Sequence, residues 1–434
     1  MSVAGREYIC PGERYVIPRA VHRARLAAGF AACGECPLRF DGKDDSSGAS
    51  IDRESEPAIR AARPRRLFTA EGVRGVARNE VDGATAERLA TALAVLLWEE
   101  IAATAGRPPA NGFPVVVGYD DRAWSLQSAV AAGTALRRCG CETIDVGLVT
   151  GPEFRFAVAH LEAAAGVLAT GAGGGPAVAG LEFVRSAGRP LSAGGGLDEL
   201  ADVADRVAGR PTRRGGRRRE FNVAVPYEAG LKRHVATART AAGVVGTSSP
   251  LIRRRIERLA AELSPTLRTC LLARRALDDS GSDETGLATI AVRVREARAD
   301  FGLWIGEDGG TCRVVDESGT VVSVADLAAL LISDALAERP GAPVVVDWPL
   351  AERLAGTALR REEVVRSNGT AEAMWLSMRD HAAAAGADSA GRFWSPGSPA
   401  TSDAFVTLAR LLRALPATEK PLSKRLSRSA ERPA

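Results

Sequence analysis

The sequence has few aromatic residues, few histidines and no long apolar run. Phe, Trp and Tyr together make up 5% of the 434 residues, and there are only four histidines. No apolar run reaches the roughly 18 residues that a transmembrane helix needs, and the N-terminus MSVAGREYIC does not resemble a signal peptide. From these absences we expect a cytoplasmic protein, whose seven cysteines are reduced or metal-bound rather than paired in disulfides.

The remaining composition is that of an ordinary globular protein, with 46% hydrophobic and 25% charged residues. A chain of 434 residues is too long for one compact core, so we expect several domains. The net charge of +4 is concentrated in RPTRRGGRRRE at 210–220 and in the tail from residue 419. Neither stretch contains the interleaved aromatic residues that stack on bases, so we do not expect nucleic-acid binding.

After residue 64, short apolar strands alternate with helices. FPVVVGYD at 113–120 is typical of a buried strand, and SLQSAVAAGTALRRCG at 125–140 has helical apolar spacing and ends in glycine. This alternation predicts an α/β fold with largely parallel sheets. We predict a separate N-terminal module, three α/β domains and a basic disordered tail, with these bounds: 1–64, 65–209, 220–314, 315–416 and 417–434.

The N-terminal module contains a possible metal site. Cys10, His22, Cys33 and Cys36 follow the pattern C-x11-H-x10-C-x2-C, and the last two cysteines are spaced to share one tetrahedral ion, usually zinc. A short segment with little core would gain much of its folding energy from such an ion. The alternatives are free thiols or a redox pair. His22 is the weakest ligand, because it could instead pack against an apolar helix face.

Five loops resemble those of one known family. LFTAEGVRG and VVVGYDDR resemble the phosphohexomutase motifs FGTDGIRG and VVGRDTR. GVLATGAGGGPAVAG stands where that family has its catalytic loop TASHNPP. ADFGLWIGEDGGTCRVVDESG resembles the metal-binding loop of the family, and GADSAGRFW resembles its sugar-recognition loop. Order and spacing agree over roughly residues 65–416. The chain is therefore identified as a member of the phosphohexomutase (phosphoglucomutase/phosphomannomutase) superfamily, with three of the four domains of that family.

The resemblance implies a phosphoserine that exchanges its phosphoryl group with a hexose phosphate, beside a magnesium ion held by three aspartates. Thr170 keeps the threonine of the family, which places Ala172 at the serine and Gly173 at the histidine. The three aspartate positions are occupied by Gly306, Asp308 and Gly310. Asp308 is thus a residual magnesium position. We expect no catalytic residue in the degenerate loop, and magnesium binding is not expected.

The sugar-recognition loop also departs from the family, with Asp388 for glutamate, Ala390 for serine and Arg392 for histidine. Arg74 and Arg122 match positions near the cleft, where a guanidinium favours phosphate. They could instead form salt bridges with neighbours such as Glu71 or Asp120. The glycines at 171–175 could form an anion-binding nest of N–H groups or an inert loop. The candidate substrate- or anion-binding residues are Arg74, Arg122, Asp388 and Arg392.

Two functions follow as hypotheses. The first is a catalytically silent homologue that binds a protein partner or, weakly, a phosphorylated sugar, with the zinc module as an added contact surface. The alternative is an active hexose-phosphate mutase with atypical residues. The sequence does not predict an oligomeric state.

Overall fold

The computed structural model describes most of the chain after residue 64 and isolated residues before it. Contacts divide the chain into two compact units, 1–62 and 63–434. The described ranges are 65–105, 112–206, 215–235, 241–263, 266–278, 281–355, 364–397, 399–415 and 421–424, together with residues 8, 9, 16, 17, 21, 22, 25, 33, 36 and 38.

The described part of the first unit contains a short antiparallel ladder. Strand β1 (Tyr8–Ile9) pairs with β2 (Val16–Ile17), with Tyr8 opposite Ile17. Both of these side chains are buried, and Leu38 packs against them.

The first sheet of the second unit is mixed. In chain order its strands are β3 (Phe68–Thr69), β4 (Gly72–Val76), β5 (Pro114–Tyr119), β6 (Glu142–Leu148), β7 (Ala165–Ala169), β8 (Val178–Arg185), β9 (Arg189–Pro190) and β10 (Arg218–Glu220). The spatial order is β10-β6-β5-β7-β8-β4-β3, with β9 beside β8. Strands β10, β6, β5 and β7 run parallel, whereas the pairs from β7 through β8 and β4 to β3 are antiparallel.

Four helices accompany this sheet: α1 (Gly83–Ala105), α2 (Ser125–Arg138), α3 (Gly151–His160) and α4 (Gly196–Arg206). The valines of β5 at 115 and 116 are fully buried, as expected for a central strand that is covered on both faces. Helix α3 begins with a capping box, in which Thr150 and Glu153 each satisfy a backbone N–H of the other.

The second sheet contains β11 (Gly243–Thr247), β12 (Leu267–Leu271), β13 (Phe301–Ile305) and β14 (Cys312–Asp316) in the order β12-β11-β13-β14. The helices in this part of the chain are α5 (Ala224–Val235), α6 (Pro250–Leu263) and α7 (Glu284–Ala297). Strand β14 is antiparallel to β13 and continues to Asp316, two residues beyond the predicted domain end at 314.

The third sheet has the order β16-β15-β17-β18-β19. In chain order, this last region of the fold comprises α8 (Val324–Glu338), β15 (Val344–Asp347), α9 (Trp348–Leu354), β16 (Val364–Ser367), α10 (Ala371–Asp380), β17 (Ala385–Ala387), β18 (Phe393–Ser395), β19 (Thr401–Ser402) and α11 (Ala404–Ala414). Among the described residues, no helix is both long and apolar enough to cross a bilayer.

The α/β fold class is confirmed, but part of the predicted tail is ordered. Residues 421–424 are described, and Leu422 is buried in the largest hydrophobic cluster, while Ser423 contacts Glu317. The prediction of disorder over 417–434 was therefore wrong for this turn. The prediction relied on the high density of charged residues in this segment and overlooked Leu422, which is buried in the core.

Candidate ligand-binding cleft

A cavity of about 510 Å³ lies where loops of the three sheets meet, within the range that is usual for small-molecule sites. Four of the five loops singled out from the sequence line it, through Glu71 and Arg74, Ala172 and Gly173, Asp308, and Arg392. The fifth loop, with Arg122, supports the cleft from behind. The sequence motifs thus converge on one site, although they lie more than 300 residues apart.

The loop after β7 keeps its own backbone amides occupied. The N–H of Gly171 donates to the Asp120 carboxylate (3.2 Å), that of Ala172 to the Thr170 hydroxyl (3.1 Å), and that of Gly174 to the Gly171 carbonyl (3.1 Å). Gly173 has φ +83°, a conformation that favours glycine. Three of the amides that an anion-binding nest would use are therefore engaged within the protein.

Ala172 stands in the cleft wall, at the position to which the sequence resemblance assigns the family's phosphoserine. Its side chain is a methyl group, only 7% of the residue is exposed, and its carbonyl accepts a hydrogen bond from Arg74 Nε (3.1 Å). Nearby Thr170 is 3% exposed, and its hydroxyl oxygen is the acceptor for the Ala172 amide. This part of the wall offers no exposed nucleophile.

Arg122 is buried beneath the loop rather than facing the cavity. Its guanidinium donates to the carbonyls of Gly174 (2.8 Å), Gly175 (2.8 Å) and Val178 (3.1 Å), and it forms an ion pair with Glu307. Only 5% of the residue is exposed, and it is not among the cavity-lining residues. Arg122 therefore holds the glycine-rich loop in shape.

Arg74 and Arg392 do line the cavity, but both are paired with carboxylates. Arg74 contacts Glu182, while Arg392 donates to Asp388 (2.7 Å), Glu71 (2.9 Å) and the Gly369 carbonyl (2.6 Å). The salt-bridge alternative thus describes Arg74, with Glu182 rather than Glu71 as its partner. Glu71 pairs instead with Arg392, for which no salt bridge was predicted.

Asp388 does not line the cavity either, because it is fully buried behind Arg392. Its carboxylate also accepts from the indole of Trp394 (3.1 Å). Burial raises the pKa of Asp388, although the Arg392 guanidinium opposes that change. Burial alone would lower the pKa of Arg392, but Asp388 and Glu71 raise it above its ordinary value. The pair positions Arg392 and leaves no carboxylate of this loop free for a sugar hydroxyl.

The loop between β13 and β14 does not fit the magnesium site that the family implies. Asp308 is its only carboxylate at the three family positions, and it accepts from the amides of Gly310 (3.1 Å) and Thr311 (3.0 Å) and from the Thr311 hydroxyl (2.7 Å). A β-carbon on Gly306 would lie 2.8 Å from Asp308 Oδ1. One on Gly310 would lie 2.7 Å from Ser402 Oγ. An aspartate at either glycine position would therefore require its neighbours to move.

Sequence reasoning missed an ion cluster behind this loop. Glu307 pairs with Arg274 as well as with Arg122, and it accepts from the Ser248 hydroxyl (2.8 Å). Arg274 also contacts Asp121 (2.6 Å). Burial would lower the pKa of Arg274, but the Glu307 and Asp121 carboxylates raise it. The only signal in the sequence was the acidic pair at 307–308 beside the expected aspartate positions.

A second buried network was also missed. Tyr227 donates to Asp403 (2.7 Å), and Asp403 caps α11 by accepting from the Phe405 amide (2.8 Å). Burial raises the pKa of Asp403 from 3.8 to about 6, against the hydrogen bond from Tyr227. The pKa of Tyr227 is raised in turn, first by burial and then by the Asp403 charge.

The N-terminal candidates are only partly described. His22 is buried, stacks on Tyr8 with ring centroids 4.3 Å apart, and has Nε2 3.2 Å from the Leu38 carbonyl. Cys33 and Cys36 are buried free thiols, while Cys10 lies outside the described residues. The described part of the chain contains no group of three or more His, Cys, Asp or Glu side chains placed to hold a metal. The contacts of His22 are those of a packed core residue, and the zinc site stays a prediction.

Comparison with known proteins decides the family. The family model described as phosphoglucomutase/phosphomannomutase, alpha/beta/alpha domain I, matches residues 65–196. Curated relatives named phosphohexose mutases and phosphoglucosamine mutases match beyond that range. Residues 65–196 therefore belong to the phosphoglucomutase/phosphomannomutase family.

The similarity to individual phosphohexomutases is moderate. Phosphohexose mutases of Xanthomonas campestris pv. campestris are 30% identical over 295 residues, which cover 64% of this chain and 61% of theirs. The phosphoglucosamine mutase of Acidothermus cellulolyticus is 27% identical over 383 residues, with 82% of this chain and 78% of that protein covered. The match to the first of these relatives thus spans about three fifths of its length.

Solved phosphohexomutase structures have the same fold. A phosphoglucomutase/phosphomannomutase family protein from Burkholderia thailandensis aligns with a TM-score of 0.70 at 20% identity, covering 84% of this chain and 79% of that one. A putative phosphomannomutase from Thermus thermophilus gives 0.68 at 19% identity, with 83% and 82% covered. At these identities the likeness concerns the fold.

Proposed function

We propose that this phosphohexomutase homologue binds a ligand in its cleft without transferring a phosphoryl group. The observation that carries the proposal is Ala172, whose methyl group stands in the cleft wall at the position of the family's nucleophile. Phosphoryl transfer through an enzyme intermediate needs an oxygen that accepts the group and a geometry that aligns it. A methyl group cannot fill that role.

The positive charge that would stabilise a phosphoryl group during transfer is also weak in this cleft. Transferring phosphoryl groups are stabilised by cations and metal ions aimed at the phosphate oxygens. Here Asp308 is engaged by three donors of its own turn, and Arg74 and Arg392 are paired with Glu182 and Glu71. Two independent features of the same cleft therefore support the proposal.

The second candidate is an active hexose-phosphate mutase, and the names of the relatives favour it. Proteins that are 26–30% identical are named phosphohexose mutases or phosphomannomutase/phosphoglucomutase. Mutase chemistry in this chain would require another acceptor, and Thr170 carries the hydroxyl nearest in sequence to Ala172. Its low exposure and its bond to the Ala172 amide argue against that role.

Intact-mass spectrometry after incubation with glucose 1,6-bisphosphate and magnesium tests the proposal. We expect no phosphoryl adduct on the chain. An adduct that is present in the wild type and absent from Thr170→Val, which keeps the shape without the hydroxyl, would establish Thr170 as the acceptor and favour the mutase. Thr289→Val is the matched control, since it makes the same substitution at an exposed position of α7 outside the cleft lining.

A further inference from the structure

The side chains that line the cleft carry more negative than positive charge. Five carboxylates and three guanidinium groups lie in the lining, and one of the carboxylates, that of Glu307, is paired with Arg122 and Arg274 behind it. The carboxylates are Glu71, Glu182, Glu307, Asp308 and Asp347, and the arginines are Arg74, Arg155 and Arg392. A cleft with this balance repels a phosphate ester, because like charges interact unfavourably over such distances even near water.

The three arginines are already committed within the protein. Arg74 pairs with Glu182, and Arg392 pairs with Glu71 and Asp388. Arg155 donates to the Ser402 carbonyl (3.2 Å), and its charge acts on the buried Asp403 carboxylate. A phosphate would have to compete with these partners for each guanidinium.

Two of the carboxylates have no arginine partner among the described residues and retain acceptor capacity. A carboxylate offers about four lone-pair sites. Asp347 accepts from the Leu350 amide (3.0 Å) and from the amide and hydroxyl of Ser389, and Asp308 likewise accepts three hydrogen bonds from its turn. Each can therefore accept one further hydrogen bond from a ligand. Hydroxyl and ammonium groups can donate that bond, whereas phosphate oxygens at neutral pH do not.

The rest of the lining adds polar groups from Asn368 and Thr370. Phe183 and Trp394 border the cavity, but they are only 1% and 3% exposed and so contribute little aromatic surface. The cavity volume of about 510 Å³ can hold a ligand of sugar size.

We propose that the cleft binds a hydroxyl-rich ligand without phosphate, an uncharged sugar or an amino sugar, with Asp308 and Asp347 as acceptors for its hydroxyl or ammonium groups. This inference rests on the proposed function and narrows it. It departs from the weak binding of a phosphorylated sugar that the sequence led us to expect.

The test is a calorimetric titration of the full chain with matched pairs of probes: glucose and glucosamine, and the 1- and 6-phosphates of each. We expect the unphosphorylated member of each pair to bind about tenfold or more tightly than its phosphate ester, from the order of magnitude of Coulomb repulsion in a partly solvated cleft. Tighter binding of the esters, or no binding by glucose and glucosamine, would overturn the inference.

Two further measurements separate charge from shape. Added potassium chloride should reduce the disadvantage of the phosphate esters and leave the glucose affinity unchanged, because salt screens only the repulsion. Asp308→Asn and Asp347→Asn, which preserve shape, should each improve ester binding severalfold and weaken glucosamine binding. Asp380→Asn, at an exposed position outside the cleft lining, is the control and should change neither. Affinities that are the same in all three variants and at all salt concentrations would contradict the electrostatic argument.

The outcomes also distinguish this inference from the function on which it rests. If the esters bind more tightly but no phosphoryl adduct forms, the proposal of a binding protein without phosphoryl transfer still holds. Only the proposed ligand class would then be wrong. An adduct on the chain would overturn the proposed function itself.

Discussion

Arg122, in the loop after β5, forms a buried ion pair with Glu307, in the loop between β13 and β14. Arg274 contacts the other oxygen of the same carboxylate and reaches Asp121, so that two guanidinium groups and two carboxylates join the loops of the first and second sheets. Asp308, the carboxylate of the same loop at a family aspartate position, accepts hydrogen bonds from Gly310 and Thr311 instead of joining this cluster.

Removing this carboxylate should destabilise the protein. In Glu307→Gln, two guanidinium groups lose their shared partner in a site where the side chain of residue 307 is 8% exposed. Breaking a buried pair from one side typically costs about 3–5 kcal/mol, so we expect a clearly lower melting temperature by calorimetry. Asp380→Asn is the control, since Arg379 and Asp380 form an exposed pair. Equal melting temperatures for the wild type and Glu307→Gln would contradict a structural role for the cluster.

Restoring the aspartates of the family should also destabilise the chain. In Gly306→Asp and Gly310→Asp, the new β-carbon would lie 2.8 Å from Asp308 Oδ1 and 2.7 Å from Ser402 Oγ, so neighbours must move. We expect a lower melting temperature for each variant, and no increase on adding magnesium. Gly341→Asp is the comparison variant, because it introduces the same charge at a position where a β-carbon would have no atom within 4 Å. The φ of +76° at this position adds backbone strain. A magnesium-dependent stabilisation of the double variant would show that the metal site is still latent.

The elements were predictable because their signals are local. Strand β5 (Pro114–Tyr119) and helix α2 (Ser125–Arg138) lie within the segments that the apolar run at 113–120 and the helical spacing at 125–140 predicted. Ala172 was assigned to the serine position because it lies two residues after Thr170, and this assignment stays a prediction. These inferences needed no knowledge of distant contacts.

The pairings could not be predicted, because their partners are far apart in the sequence. Arg122 and Glu307 are separated by 185 positions, and Tyr227 and Asp403 by 176. The composition shows how many charges a chain has, but only the fold decides which of them are neutralised. For this reason the sequence suggested Arg122 and Arg392 as anion-binding residues, whereas the structure places carboxylates against both.

Asp403 should give the stability a measurable pH dependence. Its pKa is about 6 in the fold and 3.8 ordinarily, so the folded state binds the extra proton between these values. The free energy of unfolding should therefore fall as the pH rises from about 4 to about 6, by up to roughly 3 kcal/mol from this group. Urea unfolding of Asp403→Asn, which keeps the cap oxygen, should lack this decline. Parallel pH profiles of the two proteins would contradict the assignment.

The N-terminal module provides a separate test. If Cys10, Cys33 and Cys36, with His22, hold a structural zinc ion, elemental analysis of the untagged protein should give close to one zinc per chain. Cys33→Ala should lose the metal and make the N-terminus sensitive to protease, whereas Cys270→Ala should retain it. A metal-free wild type with a protease-resistant N-terminus would contradict zinc and favour the packing of His22 on Tyr8 as the stabilising feature.

The central claim is that the cleft has lost phosphoryl transfer, and turnover of a hexose phosphate tests it most directly. The full chain is incubated with glucose 1-phosphate, magnesium and glucose 1,6-bisphosphate, and the phosphorus NMR signals of the 1- and 6-phosphates are followed over time. We expect no conversion above that of a sample without protein, because residue 172 has no oxygen to carry the group. Conversion that grows with protein concentration and disappears in Thr170→Val would contradict it.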